Sequence, residues 1–184
     1  MKIGTCVNFS EIDGMEKKFA QLREHNFDSC QLVSWNPAAW TDENASLLKT
    51  LLEQYQITVS AFWCGWSGPA AWNFYDGPLT LGLVPVEYRQ MRIENLCDGA
   101  DFAHRLGISD VVTHMGFIPE NPYDPNFSSF CIAVRTVAEH LKKNGQCLLF
   151  ETGQETPVTM LRCFEAVGTD NLYVNLDTSN LILY

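Results

Sequence analysis

The sequence predicts an α/β fold in which a parallel sheet is built from alternating strands and helices. Short apolar runs alternate with longer amphipathic segments along all 184 residues. The runs start roughly 34 residues apart, so eight units would need about 270 residues, close to the roughly 250 of a closed α/β barrel. No glycine-rich phosphate loop follows the first run, which disfavours an open, doubly wound sheet. We therefore predict a TIM (β/α)8-type barrel that is incomplete and lacks its last two βα units.

Six apolar runs are predicted as strands, because each is rich in aliphatic or β-branched residues and is bounded by turn-forming residues. The fifth run ends in Glu151 and the sixth in Asp177. The six predicted strands span residues 2–7, 29–35, 58–64, 108–115, 146–151 and 172–177.

Five segments with apolar residues at helical spacing are predicted as helices. Asp13, with Glu16 three residues later, predicts a capping box at the start of the first. Asp124 and Thr156 each precede a proline, a pattern typical of an N-cap followed by the first helical residue. A sixth helix is expected to begin where the sequence stops. The five predicted helices cover residues 13–22, 41–52, 86–106, 124–143 and 156–167.

The segment 65–85 is rich in glycine, proline and aromatic residues and joins the third strand to the third helix. It is too long and too apolar for a plain connector, and such loops are usually lids or binding loops. Two interpretations stay open: its aromatic residues line a binding site, or they plug the barrel mouth or meet a second subunit.

Composition indicates a single domain over residues 1–184, with 46% hydrophobic residues to form a core. No apolar stretch is long enough to cross a membrane, and no signal peptide is expected. The net charge of -10 disfavours nucleic acid as a partner, because the phosphate backbone would be repelled. Seven scattered cysteines without a CxxC motif fit a reducing, cytoplasmic location, and those within strands are expected to act as small hydrophobes.

The two carboxylates that end neighbouring strands predict part of a divalent-metal site. In a barrel, Glu151 and Asp177 would point inward at the same rim, with Asn175 on the same face as Asp177. Two unpaired carboxylates that close repel each other, and a bound cation removes the repulsion. Oxygen ligands suit Mg²⁺ or Mn²⁺, and added imidazole would favour Mn²⁺, Co²⁺ or Zn²⁺. The alternative is that one acid caps a helix and the other meets an arginine.

Further polar and aromatic residues lie near the same rim. His114 ends the fourth strand and could donate a hydrogen bond to a substrate oxygen, or be a satisfied core histidine. Glu155 could contact substrate or favour the N-terminus of the following helix. Trp35 and Trp63, at strand ends, could form an apolar wall against a sugar ring or belong to the core.

Three stretches, residues 114–116, 150–157 and 175–181, resemble the xylose-isomerase-like TIM-barrel superfamily, and within it the sugar phosphate isomerase/epimerase type. The resemblance implies one divalent cation held by four ligands, of which Glu151 and Asp177 match two. It implies that Glu151 is also an acid/base catalyst and that His114 faces substrate. We expect Glu155, Trp63 and Asn180 to contact substrate as well.

The activity implied by this resemblance is metal-assisted aldose–ketose isomerisation or epimerisation of a sugar or sugar phosphate, with an unphosphorylated sugar slightly favoured. Because the family's seventh and eighth strands carry its other two ligands, we expect this chain to bind metal weakly or not at all, and to be weak or inactive. Three alternatives remain. Relatives dehydrate inosose-type polyols on similar sites. Others cleave DNA at abasic sites, which the acidic composition disfavours. The chain could also be a non-catalytic partial barrel that forms a homodimer to cover its open edges.

Overall fold

Six parallel strands form one sheet in a computed structural model that describes residues 2–183. The strand order is β1-β2-β3-β4-β5-β6, so each strand pairs with its neighbours along the chain. The strands are β1 Thr5–Asn8, β2 Ser29–Ser34, β3 Thr58–Cys64, β4 Asp110–Thr113, β5 Cys147–Glu151 and β6 Leu172–Asn175.

Five long helices connect the strands, as the sequence predicted. Of two four-residue helices, the one at Asn180–Leu183 lies where a sixth helix was expected to begin, and the one at Gly77–Thr80 was not predicted. A 3-10 turn at Pro37–Ala39 precedes the second long helix. The helices are α1 Met15–Glu24, α2 Asp42–Gln54, α3 Gly77–Thr80, α4 Val86–Arg105, α5 Pro125–Lys143, α6 Pro157–Val167 and α7 Asn180–Leu183. No helix among residues 2–183 is both long and apolar enough to cross a membrane.

The apolar core lies between the outer face of the sheet and the helices. In β5, Leu148 and Phe150 belong to this core, and the Phe150 ring meets Phe164 of α6 edge-on at 4.9 Å. Glu151 lies on the other, concave face of the sheet, where it lines a cavity. Side chains alternate between the two faces of a strand, so one face holds the core and the other is left for a site. The predicted α/β fold is confirmed as a partial TIM-type barrel.

The sheet curves strongly enough for distant strands to meet across its concave face. Gln31 of β2 donates from Nε2 to Oδ1 of Asn175 on β6, over 3.3 Å. Strands β1 and β6 are the two edges of the sheet within residues 2–183, and each pairs with one neighbour. The concave face is therefore a trough that remains open between β1 and β6.

Two of the three predicted helix caps are confirmed, and one is wrong. Asp124 accepts a hydrogen bond from the Asn126 N–H at 2.8 Å, and Thr156 caps α6. The capping box of Asp13 and Glu16 does not form: α1 starts after Gly14, whose φ is 82°, without a side-chain cap. The Glu16 carboxylate instead accepts a hydrogen bond from the Tyr55 hydroxyl at the end of α2, over 3.1 Å. This contact between helices replaces the local one.

All seven cysteines are free thiols. The expectation that strand cysteines act as core hydrophobes is right for Cys30, which is buried beside Leu32 on the helix face. It is wrong for Cys6, which is exposed and lines the trough. Cys6 pairs in register with Gln31, the residue after Cys30, and so lies on the opposite face.

Candidate active site

A cavity of about 710 Å³ occupies the concave face of the sheet. Its lining includes Glu151 at the end of β5, and Asn175 and Asp177 at the end of β6. Trp35 and Trp63, from the ends of β2 and β3, form its apolar side. The carboxyl ends of the strands thus bring together the two predicted metal ligands, because parallel strands in register end at the same rim.

Glu151 is the most buried acid of this cavity, with 9% of its surface exposed. Its carboxylate accepts a short hydrogen bond from the Asn175 amide. Burial, and then the neighbouring Asp177 carboxylate, raise the pKa of Glu151 to about 7, against the effect of the Asn175 amide and the nearby Trp63 indole. Glu151 is therefore about half protonated at neutral pH, and its protonated form can donate to Asp177.

Asp177 lies two residues past the end of β6, and Thr152 fixes its backbone. The Thr152 hydroxyl donates to the Asp177 carbonyl at 3.0 Å and accepts from the Asp177 N–H at 2.9 Å. One Asp177 carboxylate oxygen also accepts from the Ser179 N–H at 2.8 Å. These bonds hold the Asp177 side chain at the rim beside Glu151, as the sequence predicted.

The donor atoms at this rim are of the kind that hard divalent cations prefer. Glu151 and Asp177 supply carboxylate oxygens, and the amides of Asn175 and Gln31 lie beside them. Burial, and then the neighbouring Asp177 carboxylate, raise the pKa of Glu151, and a cation bound between the two acids would favour their charged forms. Within residues 2–183, no group of three or more His, Cys, Asp or Glu residues is placed to hold a metal ion. The site fits a divalent cation in donor chemistry, but with only two charged ligands.

His114 follows β4 and is buried next to this rim rather than in the lining of the cavity. Its Nδ1 accepts a hydrogen bond from the Gly116 N–H at 3.0 Å, and the Trp72 ring covers it edge-on at 5.2 Å. A β-carbon on Gly153 would lie 2.6 Å from His114 Nε2, so the glycine permits this close approach. Burial lowers the pKa of His114 to about 4, which keeps the imidazole neutral at pH 7. With Nδ1 as acceptor, the neutral ring carries its proton on Nε2.

Glu155 and Asn180 also lie outside the lining of the large cavity. Glu155 is buried and accepts a hydrogen bond from the Gly153 N–H at 3.2 Å, and burial raises its pKa. Asn180 donates to the Thr152 carbonyl at 2.7 Å. Both residues therefore brace the turn after β5. Glu155 also borders a second, apolar cavity of about 350 Å³ on the outer side of β6.

Four tryptophans pack together at the mouth of the large cavity, and we call this group the tryptophan wall: Trp35, Trp63, Trp66 and Trp72. The ring centre of Trp35 lies 5.0 Å from those of both Trp63 and Trp66 and 6.2 Å from that of Trp72. Trp66 and Trp72 come from the segment 65–85 and pack against Trp35, but neither belongs to the described lining of the cavity, so both interpretations of this segment stay open. The sequence marked Trp35 and Trp63 as a wall, but spacing alone did not join them to the other two.

Sequence reasoning missed two polar residues of the cavity and one buried cation beneath the wall. Gln31 and Cys6 line the concave face, with the Cys6 thiol 3.7 Å from the Gln31 side-chain oxygen. A polar residue between the apolar positions of β2 was the available signal for Gln31. Arg92 of α4 is fully buried beside Trp66. No sequence pattern marks it, because its partners are backbone carbonyls distant in the chain.

Comparison with known proteins identifies relatives of this fold. The sequence profile described as xylose isomerase-like TIM barrel matches residues 19–184. A xylose isomerase domain protein from Planctomyces limnophilus is 27% identical with a TM-score of 0.89, over 98% of this chain and 64% of that one. None of the curated protein sequences compared with the chain matches it.

Two more distant structures share the fold. An L-ribulose 3-epimerase is 21% identical with a TM-score of 0.75, over 100% of this chain and 63% of that one. A xylose isomerase-like TIM-barrel protein from Mycobacterium smegmatis, in complex with magnesium, is 21% identical with a TM-score of 0.70, over 93% of this chain and 58% of that one. The chain spans less than two thirds of the length of these relatives.

Proposed function

The chain belongs to the xylose isomerase-like TIM-barrel family, and we propose that its concave site serves metal-assisted isomerisation or epimerisation of a sugar. The observation that carries the proposal is the pair of carboxylates, Glu151 and Asp177, that neighbouring strands bring to one rim of the large cavity. An aldose–ketose or epimerisation reaction needs a proton moved at a carbon beside a carbonyl, and Glu151 supplies one acid/base group for this at the rim.

Glu151 and Asp177 are the proposed metal ligands. A divalent cation held there would polarise the carbonyl and hydroxyl oxygens of the sugar. Mn²⁺, Mg²⁺, Co²⁺ and Zn²⁺ remain the candidate ions. Glu151 is also the proposed acid/base catalyst, because its pKa of about 7 lets it both take up and release a proton near neutral pH. The hydrogen bond from the Asn175 amide keeps its carboxylate oriented.

His114, Glu155, Trp63 and Asn180 remain proposed substrate contacts. Trp63 faces the cavity directly and offers an apolar surface to a sugar ring. His114 would act as a neutral hydrogen-bonding group beside the rim, where the Trp72 ring packs against it edge-on. Glu155 and Asn180 would act on substrate by fixing the turn after β5.

The proposed substrate is an unphosphorylated sugar. Lys2 is the only basic residue in the described lining of the large cavity, and it precedes β1, away from the rim. A phosphate group would therefore meet little positive charge near Glu151. Binding of a sugar compared with its phosphate ester checks this, and a clear preference for the ester would contradict it.

Titration of Mn²⁺ into chelator-treated protein, followed by calorimetry, tests the metal site. We expect one weak site with a Kd on the order of 0.1–1 mM, because only two charged ligands are present. Glu151→Gln and Asp177→Asn should each abolish it, whereas Glu155→Gln, a matched change of a buried acid outside the cavity, should leave it intact. Unaltered Mn²⁺ binding in both Glu151→Gln and Asp177→Asn would show that the metal lies elsewhere.

The 184-residue chain is expected to show little or no turnover. Two carboxylates supply half of the ligand set that the family resemblance implies, and one acid/base group where the reaction uses two. The measurement is epimerase and isomerase activity with added Mn²⁺, using Glu151→Gln as a control for contaminating enzyme. Substantial turnover that this variant loses would refute the expected inactivity and strengthen the catalytic role of Glu151.

A non-catalytic role is the second candidate function. The observation that favours it is the exposed apolar surface beside β6, where Leu176 and Leu181 remain 64% and 54% exposed. A second copy of the chain could cover this surface, in which case the partial barrel would persist as a dimer. The measurement that tests this is the mass of the protein in solution.

A further inference from the structure

One arginine from α4 forms hydrogen bonds with both the beginning and the end of the segment 65–85. The Arg92 side chain is fully buried, and its Nη1 donates to the Gly82 carbonyl at 2.7 Å. Its Nη2 donates to the Pro69 carbonyl at 2.7 Å, and its Nε to the Ser67 carbonyl at 3.4 Å. Because these carbonyls come from the beginning and the end of the segment, a single planar guanidinium links its two ends.

Aromatic rings cover the guanidinium of Arg92. Its central carbon lies 5.2 Å from the ring centre of Trp66 and 4.9 Å from that of Tyr88. None of the ion pairs found within residues 2–183 includes Arg92. Burial lowers the pKa of Arg92 to about 10, so it remains charged at neutral pH. Its charge is stabilised by carbonyl dipoles and aromatic faces, an interaction that strengthens when water is excluded.

Trp66 connects this buried cation to the cavity. The Trp66 ring centre lies 5.0 Å from that of Trp35 and 6.1 Å from that of Trp63, and both of these residues line the cavity. A continuous series of contacts therefore runs from Arg92 through Trp66 to the two tryptophans that line the cavity.

We infer that Arg92 is a positioning residue for the tryptophan wall, and that it sets the orientation in which Trp35 and Trp63 meet the substrate. This inference rests on the proposed sugar-binding function of the cavity for its consequence, but the arrangement of the wall can be measured without ligand. Arg92 touches neither the cavity nor the two acids, so metal binding should not depend on it.

Arg92→Lys tests the inference, because lysine keeps the charge but cannot bond three carbonyls from one plane. In ligand-free protein we expect weaker near-ultraviolet circular dichroism from the packed tryptophans and stronger quenching of their fluorescence by acrylamide. Sugar affinity should fall about tenfold, while Mn²⁺ affinity stays at the wild-type value. Trp40, the fifth tryptophan, donates to Ser34 in the core and adds a constant background.

Arg89→Lys is the matched control. Arg89 lies on the same helix and also bonds loop carbonyls, those of Leu83 at 2.7 Å and Val84 at 2.6 Å, but it contacts no tryptophan of the wall. Its lysine variant should keep the wild-type tryptophan signals. A change equal to that of Arg92→Lys would overturn the inference, because any loosening of the segment would then suffice.

Tyr88→Leu tests the positioning role of Arg92 if Arg92→Lys fails to fold. It removes one of the two rings over the guanidinium and leaves the three carbonyl bonds in place, so we expect a smaller change of the same sign. If Arg92→Lys folds and keeps the wild-type tryptophan signals, the inference is overturned. If Arg92→Lys does not fold, wild-type tryptophan signals in Tyr88→Leu overturn it instead. If wild-type protein binds no sugar, the proposed function fails, and the ligand-free signals still decide the role of Arg92.

Discussion

The pKa values of two residues at the rim are shifted in opposite directions by the same cause. Burial raises the pKa of Glu151 to about 7 and lowers that of His114 to about 4, because burial disfavours the charged form of each. In the neutral state Glu151 can donate a proton and His114 can offer an N–H. One buried rim thus holds two neutral hydrogen-bonding groups at pH values where both residues would be charged in water.

The same shifts predict opposite pH dependences of stability. A raised carboxyl pKa contributes stability that is present below the unfolded value of 4.5 and is lost as the pH rises through 7. A depressed histidine pKa contributes stability that is present above 6.5 and is lost as the pH falls through 4. Between about pH 4.5 and 6.5 the two contributions oppose each other, so the wild-type profile should be nearly flat there.

Glu151→Gln should separate the two contributions. The glutamine amide can donate to Asp177 and accept from Asn175, as the protonated acid does, but it does not titrate. We expect the free energy of unfolding of the variant, relative to wild type, to rise by up to about 3 kcal/mol between pH 4.5 and pH 8. Urea denaturation in chelator-containing buffers measures it. The same difference at both pH values would show that Glu151 has an ordinary pKa.

At the scale of elements, the segment 65–85 is held against the turn after β4 by two glycines. The Leu83 N–H donates to the Met115 carbonyl at 2.9 Å. A β-carbon on Gly82 would lie 1.9 Å from the Met115 carbonyl carbon, and one on Gly116 would lie 2.1 Å from the Leu81 carbonyl oxygen. The two backbones approach so closely that neither position has room for a side chain. The segment is therefore held closely against the turn after β4 along this contact.

Gly82→Ala should be far more destabilising than Gly107→Ala. Both glycines have positive φ, 64° and 77°, but nothing lies within 4 Å of a β-carbon at Gly107. The Gly107 change should cost about 1–2 kcal/mol from backbone strain alone. The Gly82 change adds a backbone clash and should cost about 3–5 kcal/mol in the free energy of unfolding. Chemical denaturation of both variants checks this, and equal losses would mean that the contact yields easily.

At the scale of the whole molecule, an apolar surface remains uncovered beside β6. It comprises residues of β6, of the turn after it and of α7, namely Val174, Leu176, Leu181, Ile182 and Leu183, each more than 40% exposed. This surface lies next to the apolar cavity of about 350 Å³ between β6 and α6. Contiguous apolar surface of this kind is usually an interaction site.

We expect the chain to self-associate through this surface. Light scattering coupled to size-exclusion chromatography should give a mass near twice the 20.8 kDa of the monomer. Leu176→Ser, in the centre of the surface, should shift the protein towards the monomer, whereas Leu79→Ser, an equally exposed leucine on α3, should not. A wild-type protein that stays monomeric at high concentration would contradict the proposed homodimer.

The elements were predictable because their signals are local. The bounds of β3, Thr58–Cys64, agree with the sequence prediction, and so do the start of α5 at Pro125 and the cap at Thr156. The capping box at Asp13 failed because Glu16 contacts another helix. A local sequence pattern describes only the segment that contains it. A contact with another segment in the folded protein can replace the local contact that the pattern predicts.

Part of the site was predictable for a related reason. Glu151 ends β5 and Asp177 follows the end of β6 by two residues, so the parallel topology places them at one rim. The environment of His114 depends on Trp72, a residue from a distant segment, and that of Arg92 depends on carbonyls up to 25 residues away. Which buried group loses its charge, and which ring covers it, follows from packing between segments rather than from spacing within one.

The sequential strand order also bears on how the chain folds as it is synthesised. Because β1 to β6 pair strictly in chain order, each new strand and helix can add to surface that is already formed. No early segment has to wait for a late one to complete its pairing within residues 2–183, which keeps loop-closure distances short. The sheet can therefore grow unit by unit as the chain emerges from the ribosome, with its exposed apolar edge moving forward as each strand is added.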